Sequence, residues 1–247
     1  MSDQKKHLKV VVGNGKAVRL VAREGPKVRV QGELARERGE KAVDLVFVID
    51  TTGSMSDKID GLLQTCVQFA DEFANEGLDQ RMAIVSFGDL YVPGDKIEAT
   101  TFTPKVAVIQ DCLERIPRNS GGGNEGESSL EAVTKALQLG FRPEAVKTII
   151  LITDEPAHQR EIRAEEVTKR LLKQEVVTFV VSPPYRYFQE IAEKTGGSWF
   201  QVTATTDFRS ILEVFRKLTK AVSIMARDVH EISGGSIERY LQLKGRK

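Results

Sequence analysis

From residue 43 onward, apolar residues follow two alternating patterns. Short, nearly continuous apolar runs occupy 43–49, 81–88, 147–154 and 176–181. Runs of this length and β-branched content are typical of strands that are buried on both faces. Between the runs, apolar residues recur every three or four positions, which predicts amphipathic helices. The clearest example follows the first run: Ile59, Leu62, Leu63, Cys66, Ala70, Phe73 and Ala74.

The alternation of strands and helices predicts an α/β fold with a doubly wound, mainly parallel sheet and helices on both faces. The remaining patterns predict an edge strand at 96–103, another strand at 197–202, and helices at 105–115, 130–140, 159–173, 185–194 and from Asp207. Such sheets bind ligands at the carboxyl ends of their strands, near the point where the strand order reverses.

The first forty residues have a different pattern. Residues 8–31 alternate between apolar and polar, and Asn14-Gly15 is typical of a tight hairpin turn. We therefore predict an N-terminal β-hairpin appendage and linker at 1–40, a main domain at 41–222, and a C-terminal helix with a basic tail at 223–247.

Composition is that of an ordinary globular protein: of the 247 residues, 40% are hydrophobic and 29% are charged, with a net charge of +1. No global basic field recruits nucleic acid or an anionic membrane, so neither is expected as a partner. The N-terminus lacks a signal-peptide core, and no apolar run approaches the ~20 residues that a membrane span needs. Cys66 and Cys112 fall in helical patterns as single thiols, and we expect a cytoplasmic protein.

Two acids stand where apolar strands end. Asp50 is followed at alternate positions by Thr52 and Ser54, and Asp154 ends the run at 147–154. A triple glycine at 121–123 would let a third segment approach closely. Oxygen donors without a nearby His or Cys favour Mg²⁺, Mn²⁺ or Ca²⁺ over Zn²⁺.

Three ordered segments resemble a known family. "VFVIDTTGSMS" resembles the first motif, D-x-S-x-S, of the metal-ion-dependent adhesion site (MIDAS) of von Willebrand factor A domains, and "SGGGNEGESSLEAV" and "IILITDEP" resemble the second and third. The resemblance covers roughly 41–222. It implies a Rossmann-like fold and a metal site, and the ligands that match the family's motifs are Asp50, Thr52, Ser54 and Asp154.

The second motif departs from the family pattern, which has a threonine six residues before an apolar helix position. Counting back six from Leu130 gives Asn124, whose amide oxygen can also bind a metal. Glu125 and Glu127 are the alternatives, and either would raise the negative charge of the site and favour Ca²⁺.

The resemblance implies a protein-binding module and not an enzyme. In the family, a partner's Asp or Glu fills an open coordination position on the metal. Two other interpretations of the residues stay open. Asp50 could be the nucleophile of a phosphotransferase of the haloacid dehalogenase type, or Asp50 and Asp154 could simply cap helices. Elsewhere, we expect His158, Arg142 and Arg160 to be solvent-exposed side chains.

Overall fold

The computed structural model describes residues 8–11, 17–20, 42–122, 126–202, 208–234 and 236–243. The chain divides into two compact units, Met1–Glu37 and Arg38–Lys247. In the first unit, β1 (Leu8–Val11) pairs antiparallel with β2 (Ala17–Leu20). The predicted Asn14-Gly15 turn lies outside the described residues.

The second unit is built on a six-stranded sheet. Its strands are β3 (Ala42–Asp50), β4 (Asp79–Phe87), β5 (Ile97–Ala99), β6 (Val146–Ile152), β7 (Val176–Ser182) and β8 (Trp199–Gln201). Their order is β5-β4-β3-β6-β7-β8, and every pair is parallel except β4 with β5. The predicted α/β fold and the predicted edge strand are therefore confirmed. The edge strand is antiparallel to β4 and shorter than expected.

Every strand of this sheet except β4 is followed by a helix. The helices are α1 (Ser56–Ala74), α2 (Val106–Glu114), α3 (Ser129–Ala136), α4 (Ala164–Lys173), α5 (Arg186–Lys194), α6 (Phe208–Ser233) and α7 (Ile237–Leu243). A short 3₁₀ turn, Gly53–Met55, precedes α1. Helix α6 runs without a break past residue 222. No helix in the described part of the chain is long and apolar enough to cross a membrane.

The sheet separates two hydrophobic cores, because successive side chains of a strand point to opposite faces. Phe47 and Ile49 belong to a core formed with α1, α2, α6 and α7. Val46 and Val48 belong to a second core formed with α3, α4 and α5. All nine residues of β3 are buried. Burial of each large apolar side chain contributes about 1.5–3 kcal/mol to the stability of the folded state. Strand β3, which lies between β4 and β6 and supplies side chains to both cores, is therefore central to the fold.

Helix α4 begins five residues later than the sequence predicts, because the preceding segment makes tertiary contacts instead. The backbone N–H of Ala157 donates to the Tyr187 hydroxyl (2.7 Å). Gln159 adopts a positive φ of 47°, and its side-chain oxygen accepts a hydrogen bond from the N–H of Ala164. This contact supplies one of the acceptors that the first turn of a helix lacks. The loop after β6 is thereby tied to α5 and to the start of α4.

Candidate metal centre

The centre of the sheet brings the two predicted acidic strand ends together. From β3 the chain proceeds to β4 on one side, whereas β6, the other neighbour of β3, leads to β7 and β8. The strand order therefore reverses between β3 and β6. Asp50 is the last residue of β3, and Asp154 follows β6 by two residues. In sheets of this kind, ligands bind at this crevice.

Asp50 is completely buried and is held by neutral donors. Its Oδ1 accepts hydrogen bonds from the backbone N–H (3.0 Å) and the hydroxyl (2.6 Å) of Thr52. Its Oδ2 accepts one from the Thr153 hydroxyl (2.7 Å). Within the described residues, no Lys or Arg side chain pairs with Asp50. The carboxylate is therefore oriented but not neutralised.

A continuous chain of side-chain oxygens links the two strand ends. The Thr52 hydroxyl lies 3.2 Å from that of Ser54, and the Ser54 hydroxyl donates to Asp154 Oδ1 (2.9 Å) across a sequence separation of 100 residues. Thr52 is buried and Ser54 is exposed, so this chain runs from the interior to the surface. Four of the five predicted ligands, Asp50, Thr52, Ser54 and Asp154, thus lie together; that they bind a metal remains a prediction.

The surroundings of Asp50 disfavour the negatively charged form of its carboxyl group. Burial raises the pKa of Asp50 to about 6, against the lowering effect of hydrogen bonds from Thr52 and Thr153, and the nearby charge of Asp154 adds to the rise. A buried carboxylate with no cationic partner shifts in this direction. A bound cation would relieve the same cost.

The glycine-rich loop packs directly on the turn that follows Asp50. The N–H of Gly53 donates to the carbonyl of Ser120 (3.1 Å). Gly121 has a φ of +67°, and a Cβ there would lie 3.0 Å from the Thr52 Cβ, so this close approach requires glycine. Asp95 holds the loop by accepting from the N–H groups of Ser120 and Gly121 (both 2.9 Å). Burial opposes these hydrogen bonds, but they keep the pKa of Asp95 below its ordinary value.

The loop residue that the sequence leaves open is Asn124, Glu125 or Glu127. Asn124 and Glu125 lie outside the described residues. Glu127 is buried, and its Oε2 has no hydrogen-bond partner in the described part of the chain. Burial, followed by the charges of Asp50, Asp89 and Asp95, raises the pKa of Glu127 to about 8. Glu127 is therefore a second buried acid near Asp50, and no cationic side chain among the described residues pairs with it.

The expectation that His158 is solvated is wrong. His158 is buried, with its Nε2 2.9 Å from Asp89 Oδ1, and Asp89 is itself completely buried. The ring of Tyr91 packs edge-on against His158, and the guanidinium of Arg160 stacks on Tyr91 at 4.5 Å from the ring centroid. Arg160 is exposed, as expected. The only sequence signal for this cluster is the position of Asp89, two residues after β4.

The donor set at the β3–β6 edge fits a hard divalent cation. Two carboxylates and two hydroxyls are oxygen ligands of the kind that Mg²⁺, Mn²⁺ and Ca²⁺ accept. In the described part of the chain, the buried Oε2 of Glu127 also lacks a hydrogen-bond partner, and a buried polar atom of this kind requires an explanation. Among the described residues, no group of three or more His, Cys, Asp and Glu side chains is arranged to hold a metal. The fit therefore depends on the hydroxyls of Thr52 and Ser54.

Comparison with known proteins identifies the family. The family model of the von Willebrand factor type A domain matches residues 44–216. The chain therefore belongs to this family, whose domains are typically adhesion or protein-interaction modules. The match includes the turn after Asp50, the glycine-rich loop and Asp154.

One curated relative is much longer than the segment that it shares with this chain. This relative, the alpha-protein kinase vwkA of Dictyostelium discoideum, is 24% identical over 127 residues, which are 50% of this chain and 20% of the relative. The chain thus matches only about a fifth of that protein.

Two solved structures share the fold. Proximal thread matrix protein 1 from the mussel byssus has a TM-score of 0.57 at 16% identity, covering 74% of this chain and 46% of that one. The pilus adhesin SpaC of Lactobacillus rhamnosus GG has a TM-score of 0.53 at 13% identity, covering 74% and 30%.

Proposed function

We propose that this domain binds a protein partner through a divalent cation held at the β3–β6 edge of its sheet. Asp50, Thr52, Ser54 and Asp154 would hold Mg²⁺, or Mn²⁺ or Ca²⁺ in its place. The cation would act as a Lewis acid with a position open to an Asp or Glu of the partner. Von Willebrand factor type A domains generally mediate protein–protein interactions, which supports the proposal that the partner is a protein.

The observation that carries this proposal is the hydrogen bond from Ser54 to Asp154, which joins the first and third sequence motifs at the sheet edge. If the two acids only capped helices, each would bond to N–H groups at the start of its own helix. In addition to any such bond, Asp154 meets a hydroxyl from the other strand end. Asp50 meets hydroxyls from both strand ends as well as the Thr52 amide. A shared set of oxygens is what a cation site needs.

The chain's own residues orient this set. Thr153 and the Thr52 amide hold the two oxygens of Asp50 from opposite sides, which fixes the carboxylate against β3. Asp95 and Gly121 keep the glycine-rich loop close to Thr52. Leu90 and Tyr91 are exposed on the neighbouring loop, which the hydrogen bond from the Leu90 N–H to the Ser128 hydroxyl (2.9 Å) ties to the start of α3. They would supply an apolar rim beside the cation.

The burial of Asp50 supports a binding function over phosphotransfer. A nucleophilic aspartate must present an oxygen to a phosphoryl group. Both oxygens of Asp50 are engaged by hydroxyl and amide donors, and the residue is completely buried. We therefore propose a non-catalytic domain that works inside the cell.

Calorimetry with Mg²⁺, Mn²⁺ and Ca²⁺ tests the proposal. The wild-type protein should bind at least one of these ions, and Asp50→Asn should abolish binding because it removes a carboxylate without changing side-chain size. Asp60→Asn is a suitable control, since Asp60 lies on the exposed surface of α1 and pairs with Arg118. Equal metal binding by the wild type and Asp50→Asn would refute the site.

A further inference from the structure

Glu127 is the acid at this edge whose role the four proposed ligands leave unexplained. Its side chain is buried, and Oε2 has no hydrogen-bond partner in the described part of the chain. A buried polar group that is left without a hydrogen-bond partner is costly whether it is neutral or charged, so Glu127 calls for an explanation. A bound cation supplies one.

The backbone of Glu127 is fixed to the segment that carries Asp154. Its N–H donates to the carbonyl of Pro156 (2.8 Å), and its own carbonyl accepts from the N–H of His158 (3.1 Å). These bonds form an isolated parallel bridge between Glu127 and Ala157. The position of its backbone is therefore set by the loop after β6.

The side chain of Glu127 points toward the proposed cation ligands. A Cβ built on Gly121 would lie 3.3 Å from Glu127 Oε1 and 3.0 Å from the Cβ of Thr52. The glutamate carboxylate and Thr52 therefore flank the same glycine. Asp50 is the charged residue that acts most strongly on the Glu127 carboxyl, which agrees with this placement.

Charge decides what a third carboxylate would do. With Asp50 and Asp154 alone, the two carboxylates balance the charge of a divalent cation, and its open coordination position can still accept an external carboxylate. With Glu127 added, the three carboxylates exceed the charge of the cation, and an external acid is repelled unless Glu127 leaves. More anionic ligands also raise the affinity for the metal itself.

We propose that Glu127 is an internal competitor, whose carboxylate takes the coordination position that a partner's Asp or Glu must occupy. This inference rests on the proposed function. Glu127 does not form a three-acid group with Asp50 and Asp154 in this structure. Its carboxylate reaches the cation by rotation about its side-chain bonds, while the bridge to Ala157 holds its backbone. Partner binding then requires the reverse rotation.

Glu131 provides a matched control. Its carboxylate oxygens are also buried without a partner among the described residues. The charges that act on it are those of His158, Glu161 and Asp89, and neither Asp50 nor Asp154 is among them. Replacing Glu131 removes a comparable buried acid four residues further along the chain, in the first turn of α3.

Terbium luminescence measures the proposed contact directly. Tb³⁺ prefers oxygen ligands as Ca²⁺ does, and its lifetimes in H₂O and D₂O give the number of bound waters. We expect Glu127→Ala and Glu127→Gln to weaken Tb³⁺ binding about tenfold, because the anionic ligand count falls. Glu127→Ala should also leave more water on the ion, whereas Glu131→Gln should match the wild type in both respects.

Acetate then serves as the minimal external carboxylate. On the Tb³⁺-loaded protein, acetate should displace water at a concentration about tenfold lower in Glu127→Ala than in the wild type, because no internal acid competes with it. Unchanged hydration and unchanged acetate competition in both Glu127 variants would overturn the proposal. If Asp50→Asn still abolished metal binding in that case, the proposed metal site would stand and only the role of Glu127 would be refuted. If every variant, including Asp50→Asn, bound Tb³⁺ as the wild type does, both proposals would be refuted.

Discussion

Strand β3 carries two completely buried aspartates, one near each end, and they have opposite surroundings. Asp44 accepts hydrogen bonds from Nε (3.0 Å) and Nη2 (2.5 Å) of Arg81. It also accepts from the backbone N–H (2.7 Å) and Nε (2.9 Å) of Arg142. Among the described residues, the donors to Asp50, six residues later, are Thr52 and Thr153.

The difference separates a structural acid from a candidate ligand. At Asp44 the protein supplies its own cations, and the pair closes the amino-terminal end of the sheet. At Asp50 the donors are neutral, and the residue lies where the strand order reverses. A buried carboxylate is tolerated when positive charge accompanies it. At Asp50 no Lys or Arg in the described part of the chain supplies that charge, and this is the physical basis of the proposed metal site.

The largest effect should follow from breaking the Asp44 pair. Asp44→Ala leaves the guanidinium groups of Arg81 and Arg142, both largely buried, without their shared partner. Removing one member of a buried ion pair costs about 3–5 kcal/mol of unfolding free energy. Urea denaturation should show this loss, whereas Asp50→Asn in the presence of EDTA should show none. A loss below about 1 kcal/mol for Asp44→Ala would remove the contrast.

The pH dependence of stability should depend on Asp50 in the metal-free protein. Burial raises the pKa of Asp50 from 3.8 to about 6, so the folded state holds this proton more tightly than the unfolded chain. Its stabilising effect is therefore complete at low pH and is lost as the pH rises through about 6. In EDTA, the stability of the wild type should fall relative to Asp50→Asn by up to about 3 kcal/mol between these pKa values.

Urea titrations of both proteins in EDTA at several pH values measure this difference. If the difference in stability between the two proteins were the same at every pH, burial would not raise the pKa of Asp50. The contrast between Asp50 and Asp44 would then fail on this point. Saturating Mg²⁺ should flatten the wild-type curve, because a bound cation favours the ionised carboxylate.

Divalent cations should stabilise the wild-type protein but not Asp50→Asn. At a free Mg²⁺ concentration one hundred times Kd, the gain is about 2.7 kcal/mol. The melting temperature in Mg²⁺ and in EDTA reports it. Asp44→Asn should be less stable in both conditions but keep the full difference between them, because it leaves the proposed ligands in place. A Mg²⁺ effect that survives Asp50→Asn would mean that the ion binds elsewhere.

A smaller effect is expected at Ser54, which is exposed and joins Asp154 through its hydroxyl. Ser54→Ala should weaken Mg²⁺ binding about tenfold by calorimetry, a change of about 1.4 kcal/mol. Ser54→Thr keeps the hydroxyl and should restore most of the affinity. Equal affinities for the alanine and threonine variants would show that the hydroxyl is not a ligand.

The sequence predicts the acid-bearing end of β3 better than the arginine-bearing end. Apolar periodicity and the spacing of Asp50, Thr52 and Ser54 are local, and strand direction then places Asp154 beside them. The Asp44 pair joins residues 98 positions apart, and no local pattern signals it. Arg142 was therefore wrongly predicted to be exposed; its side chain is 19% exposed.

Loops were predicted less well than strands for a related reason. The burial of His158 depends on Asp89, which arrives from another strand end. The start of α4 is delayed because Ala157 and Gln159 make specific hydrogen bonds that helical periodicity does not reveal. The sequence did mark Glu127 as one of three candidate loop ligands, but only its burial distinguishes it as an acid without a compensating charge.

The most direct test of the metal site is an anomalous difference map from crystals of the wild-type protein soaked in Mn²⁺. We predict a peak within coordination distance of the Ser54 hydroxyl and the Asp154 carboxylate, which already meet at 2.9 Å. Crystals of Asp50→Asn should lack this peak. A map with no density at the β3–β6 edge under saturating Mn²⁺ would contradict the account.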